Sequence, residues 1–203
     1  MPQTIRAIET RYNGYRFRSR LEARWAVFFD TLGIPYTYEP EGFELDDGMR
    51  YLPDFWLSDL RCWVEIKPDM PSMIERAKAR RLAEQSGRSV YLFAGNAWLP
   101  EWNAAGDHLN NSAFGWVPFS ILRHDRPDES TIYEAENFAW CECAGCGEIG
   151  LWTPTPDQLH WSEYWTTVFS YDTGCYHREL NGRSSRIATA FDAARSARFE
   201  FGR

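Results

Sequence analysis

No run of about 18 consecutive apolar residues occurs in this 203-residue chain, which excludes a membrane-spanning helix. Residues 1–20 carry arginine without an apolar stretch, so no secretory signal is expected there. Cysteine is scarce and odd in number, five in all, and three of the five are Cys141, Cys143 and Cys146. That crowding argues against a disulfide framework and suits thiols holding a metal in a reducing compartment, so a cytoplasmic protein is expected. Internal repeats and low-complexity tracts are absent as well. The proportions that are present, 44% hydrophobic and 25% charged residues, are those of a globular protein rather than a disordered or collagenous one. The length fits one domain, or one with an appendage. Aromatics are abundant at 16%, with ten Trp. Large aromatics bury about 150–250 Å² each, so a sizeable core needs no covalent staples.

The net charge of −7 conceals a segregation. Residues 1–24 hold six Arg against Glu9 and Glu22, a net of +4. Residues 174–203 hold six Arg against Glu179, Asp192 and Glu200, a net of +3, which leaves −14 in the middle. A basic arm at each end of an acidic body suits a polyanion partner. Solvated termini around helix ends produce the same distribution.

In the first half, Phe17, Leu21, Trp25, Phe28 and Leu32 recur at helical spacing. Ser19 and Glu22 form an S-x-x-E capping pattern, and Gly33 is a stop. Residues 34–45 read as extended, with turns near Glu41-Gly42 and Asp46-Asp47-Gly48. Residues 51–57 and 61–67 read as strands joined through Ser58-Asp59-Leu60. A second helix runs from Pro71 to Gly87 with Arg76, Lys78, Arg80 and Arg81, and 89–94 is a short buried strand.

Side chains on this skeleton bring acids together. A period of two sends Cys62, Val64 and Ile66 to one face of 61–67, and Trp63, Glu65 and Lys67 to the other. A hairpin through 58–60 puts Asp54 near Trp63, diagonal to Glu65 on the same face. Diagonal neighbours lie about 7–8 Å apart, so two carboxylates reach one cation. Unpaired charge removed from water costs several kcal/mol, and hard Mg²⁺ or Mn²⁺ favours oxygen ligands.

Pro53-Asp54, ten residues, then Glu65-Ile66-Lys67 resembles the signature of the PD-(D/E)XK nuclease superfamily. Ser19-Arg20-Leu21-Glu22 is similar to the acidic first helix of several of its branches, and the order of elements over about residues 12–95 follows the family core. The resemblance implies an α/β, restriction-endonuclease-like mixed sheet flanked by helices, and metal-dependent hydrolysis of phosphodiester bonds. It further implies Asp54, Glu65 and the Ile66 carbonyl as Mg²⁺ or Mn²⁺ ligands, with Glu22 completing the site directly or through water. Lys67 would orient or deprotonate the attacking water. Each residue also has a plainer reading: Glu22 as a cap, Asp54 as a turn residue, Glu65 and Lys67 as an exposed ion pair. Aromatics interleaved with Arg16, Arg18 and Arg20 suit phosphate binding, and packing of those aromatics under the helix gives the same string.

Residues 96–165 hold seven of the ten Trp, with strands expected over 115–122 and 131–140. Cys143 and Cys146, followed by Gly147, have the shape of a zinc knuckle, and Cys175 and His177 are the obvious second pair. Cys141 is an alternative ligand, His160 a spare, and reduced, partly buried thiols the competing reading; Cys62 is a core residue either way. Residues 185–201 carry Ile187, Ala190, Phe191 and Ala194 at helical spacing, a docking helix. Two regions are therefore expected: a nuclease core with a basic arm over 1–96, and a Trp-rich extension over 97–203 with a zinc segment at 141–177. The function expected is a metal-dependent deoxyribonuclease acting on DNA, with RNA a lesser variant, as a homodimer or beside a partner protein. The alternatives are a non-catalytic nucleic-acid-binding subunit, an acidic DNA mimic, or a nuclease active only within a larger assembly.

Overall fold

The computed structural model describes residues 7–46, 48–99, 112–118, 132–136, 138–152 and 180–199. The chain is α/β with a mixed sheet. Strands β1 (Thr10–Tyr12) and β2 (Tyr15–Phe17) form a hairpin ahead of helix α1 (Arg20–Leu32). Strands β3 (Tyr36–Tyr38), β4 (Phe43–Glu44), β5 (Arg50–Tyr51), β6 (Phe55–Leu57) and β7 (Cys62–Lys67) follow. Helix α2 (Met73–Ser86) crosses to β8 (Ser89–Ala94), which β9 (Ser112–Pro118) and β10 (Ile132–Glu136) extend. Strands β11 (Ala139–Cys143), β12 (Ile149–Trp152) and β13 (Leu180–Asn181) make a smaller sheet, and α3 (Ser185–Ser196) ends the described chain. Among the described residues no helix is long and apolar enough to cross a membrane.

The main sheet runs β10-β9-β8-β7-β6-β3, antiparallel throughout except for the parallel pair β7 and β8. Parallel strands need a crossover, and α2 supplies it. Its start is fixed by a complete capping box, with Ser72 and Glu75 bonding each other's backbone, and its end by Gly87 in the left-handed region. The helix thus starts just after Pro71, not on it. Helix α1 is capped by Ser19, whose side chain accepts from the Glu22 amide, and stops at Gly33 at φ 72°.

The alternation in β7 divides the interior as its sequence dictates. Cys62, Val64 and Ile66 pack with Phe28, Phe29, Phe93 and the α3 residues Ile187 and Phe191. Trp63 packs on the other face with Ala79, Leu82 and Ala83 of α2. Helices therefore cover both faces, α1 and α3 on one and α2 on the other. Trp140 of β11 stacks on Phe93 at 5.9 Å and meets Phe28 at 5.4 Å. The expected division at residue 96 is thus not a division of the core. Strands β9 and β10 belong to the main sheet, and Trp140, Leu151 and Ile187 lie in the same apolar cluster as Phe17 and Phe55. The expected strand over 51–57 is also two pieces, because Tyr51 pairs with Phe43 while Phe55 pairs with Val64 and Tyr38.

One close approach in this extension is testable. A Cβ at Gly115 would lie 2.4 Å from Phe138 Cε2, and that ring is buried, edge-on to Tyr91 at 5.1 Å. The ring has nowhere to move, so Gly115→Ala should destabilise the fold by about 1–3 kcal/mol. Urea unfolding should show a lower midpoint with an unchanged slope.

Candidate active site

Asp54, Glu65 and Lys67 converge at one end of β6 and β7. The register Phe55↔Val64 and Trp56↔Trp63, continued by one residue, sets Asp54 directly opposite Glu65. The diagonal placement expected from a tighter turn is corrected by the longer connection through Arg61, which takes a positive φ of 48°. Both carboxylates are nearly inaccessible, at 8% and 6% exposure. Asp54 Oδ2 accepts the Ile66 amide at 2.7 Å, so the strand backbone aims it at its neighbour. Glu65 Oε1 meets Lys67 Nζ at 2.7 Å, and Lys67 is also held by Glu75 Oε1 at 3.0 Å.

One lysine is shared by two acids, and Asp54 has no cation of its own. Burial, then the fields of Glu65 and Glu22, push the Asp54 carboxyl well above its ordinary range despite the Ile66 amide. Burial also raises Glu65, with Lys67 pulling the other way. Burial alone would lower Lys67, but Glu65 and Glu75 outweigh it and raise its pKa. Glu75 is held down at about 2; its slight burial is outweighed by hydrogen bonds from Ser72 and the charge of Lys67. Glu65 Oε2 and the Tyr51 hydroxyl are buried facing each other, with no other hydrogen-bond partner among the described residues. They lie close enough that Glu65 adds to the burial that drives the Tyr51 pKa well up.

Glu22 approaches from α1 and is buried at 8% exposure. Its oxygens are already in use: Ser19 Oγ donates at 2.6 Å, the Arg18 amide at 3.0 Å and the Tyr38 hydroxyl at 2.5 Å. The capping pattern is realised in half, since Ser19 Oγ accepts from the Glu22 amide while the Glu22 carboxylate takes the Arg18 amide rather than that of Ser19, and the charge of Glu22 still reaches Asp54. Among the described residues no group of three or more His, Cys, Asp or Glu side chains is arranged to hold a metal ion. What the site offers a hard cation is narrower: two buried carboxylates, both raised chiefly by burial, with the Tyr51 hydroxyl facing one of them. Buried carboxylates of this kind are oxygen donors of the class that hard cations take.

Arg16 pairs with Glu9 and Arg18 with Glu39 at 2.9 Å, both at the surface. Arg20 sits at the first turn of α1. Of the cysteines, Cys62 lies in the core, Cys141 and Cys143 are buried in β11, and Cys146 is exposed in the following turn. The Gly147 amide of the expected knuckle donates to the Cys143 carbonyl at 2.8 Å, not to a thiolate. Burial, with Cys143 adding to it, drives the Cys141 thiol well up, and its Sγ contacts the Gly150 carbonyl at 3.6 Å. Cys175, His177 and His160 lie outside the described residues.

Sequence reasoning missed Tyr38, Tyr51 and Glu75. The signal for Glu75 was present, since Ser72-x-x-Glu75 is a capping box. Tyr51 and Tyr38 come to the site only through strand pairing, which local sequence does not specify. Comparison with models of protein families, with curated proteins and with solved structures found no match.

Proposed function

We propose that this chain is a divalent-metal-dependent deoxyribonuclease with a restriction-endonuclease-like core. The observation that carries the reading is the buried pair Asp54, just ahead of β6, and Glu65, in the adjacent β7, with Lys67 bonded to Glu65. A buried pair of acids with a lysine bonded to only one of them is costly as structure alone, since replacing such groups by apolar ones is often neutral or stabilising. Its order along the chain is that of the PD-(D/E)XK pattern, with Glu22 ahead of it on a helix.

Asp54 and Glu65 would hold the cation, with the Ile66 carbonyl and Glu22 at its margin. The ion would supply the missing positive charge, polarise a phosphoryl oxygen and acidify a water, in favourable cases to a pKa of about 7. The chain's own contribution is positioning. The Ile66 amide fixes the Asp54 carboxylate, and Glu75 and Glu65 together fix Lys67 Nζ. Lys67 stays protonated in that grip, so it serves to orient the attacking water and to offset phosphate charge, rather than to accept the proton.

The test is incubation of linear, supercoiled, single-stranded and branched DNA with Mg²⁺ or Mn²⁺, with Glu65→Ala alongside. The chain should cut at least one of these, and folded Glu65→Ala should lose that activity. Equal cutting by the variant, or none by the wild type with no divalent cation bound by calorimetry, overturns the proposal.

A further inference from the structure

The Asn13-Gly14 turn takes positive φ at both residues, 46° and 81°, the conformation that two-residue hairpins favour. The register that follows is Thr10↔Phe17, Arg11↔Arg16 and Tyr12↔Tyr15. Alternation then sorts the hairpin. The ring of Tyr12 packs on Phe199 at 5.9 Å, that of Tyr15 on Tyr36 at 5.7 Å, and that of Phe17 on Tyr38 at 4.5 Å. Arg11 and Arg16 take the opposite face, side by side and exposed. With the turn and both tyrosines they line a surface concavity of about 440 Å³.

Like charges directly opposite each other on a hairpin destabilise it. Glu9 offsets Arg16, and Arg11 forms no ion pair among the described residues. Arg18, two residues beyond Arg16 and exposed, continues this row. Its backbone amide donates to Glu22 Oε2 at 3.0 Å, so the row ends where Glu22 adjoins Asp54. Forked guanidinium groups match phosphate oxygens in a way that point charges do not.

We propose that the β1–β2 hairpin grips the phosphate backbone of DNA leading to the candidate site, through Arg11 and Arg16. The polyanion's identity rests on the nuclease reading; the cationic row does not. The test is binding of a labelled duplex oligonucleotide to the full chain carrying Asp54→Asn, which keeps the DNA whole. Affinity is followed between about 50 and 200 mM salt. Adding Arg11→Ala and Arg16→Ala should flatten the log affinity against log salt slope by about 0.9 for each phosphate no longer neutralised, roughly 1.8 for the pair. Arg11→Lys and Arg16→Lys should keep most of the slope, which separates charge from a folding defect. An unchanged slope in the double alanine variant overturns the hairpin proposal while leaving cleavage by the wild type intact. Arginine-dependent binding by a chain that never cuts leaves the hairpin proposal standing and sinks the nuclease reading. A chain that binds no DNA sinks both.

Discussion

Asp54→Asn should abolish DNA cleavage and, in metal-free buffer, raise the melting temperature. The two effects share one cause. Asp54 is buried, opposes Glu65, and feels Glu22, so its ionised form is disfavoured in the folded chain. Asparagine keeps an oxygen for the Ile66 amide and turns a repelling neighbour into one that can donate to Glu65. A higher melting temperature near neutral pH is therefore expected, because the asparagine carries no charge to be kept out of water. The catalytic loss should be larger. A cation site supplies several kcal/mol of transition-state charge stabilisation, and about 1.36 kcal/mol is a factor of ten in rate, so a drop of at least about a thousandfold follows. Calorimetric melting in EDTA and cleavage in Mn²⁺ read the two halves separately. A lower melting temperature would show that the carboxylate is structural, and retained cleavage would remove Asp54 from the site.

Part of this site was legible from sequence because its acids stand against the apolar pattern around them. Glu65 and Lys67 share the face of β7 that a period of two assigns them, Asp54 is brought near by the hairpin although in a different register from the one expected, and charged residues beside buried aromatics stand out against any packing rule. Helix α1 was legible for the same kind of reason: Leu21, Trp25, Phe28 and Leu32 follow its apolar spacing, with Ser19 its start and Gly33 its stop, whereas Phe17, which continues that spacing, belongs instead to β2. What stayed hidden depends on partners distant in the chain. Strands are expected over 115–122 and 131–140, but local sequence does not say that β9 starts at Ser112 and pairs with β8, with Leu92 opposite Phe114, or that the second segment divides between β10 and β11. Trp140 reads as part of an extension until it stacks on Phe93. The hairpin of β1 and β2 is a different case, because Asn13-Gly14 is a strong local turn signal. It was masked by its own alternation, since Arg16 and Arg18 outside and Tyr15 and Phe17 inside read equally as a phosphate surface or as packing. The structure gives each set its own face.

Without a divalent cation, stability should fall as pH rises from about 4 toward neutrality, the reverse of the usual carboxylate behaviour. Asp54 and Glu65 are raised from ordinary values of 3.8 and 4.5. Between those values and the raised ones, the folded chain binds more protons than the unfolded chain. The derivative of unfolding free energy with pH follows the unfolded minus the folded proton count, and is therefore negative in that window. Glu39, raised by burial, adds to the same limb. On the acid side the sign reverses. Glu75, held at about 2, contributes stability that is complete above 4.5 and disappears as pH falls through that lower value. Glu142 is also lowered, by Ser184 and Arg186 against slight burial, and adds to this acid limb. The metal-free chain should thus be most stable near pH 4–5. A cation competes with protons for Asp54 and Glu65, so the melting shift on adding Mn²⁺ should grow with pH. At a hundredfold excess over its dissociation constant the ion contributes about 2.7 kcal/mol. Melting in EDTA and in Mn²⁺ from pH 4 to 8, with Asp54→Asn and Glu65→Gln beside the wild type, reads all of this. The variants should flatten the falling limb and lose the metal shift together. A falling limb that persists in both variants would assign the proton uptake to groups outside the site, and a metal shift independent of pH would mean that the cation binds elsewhere.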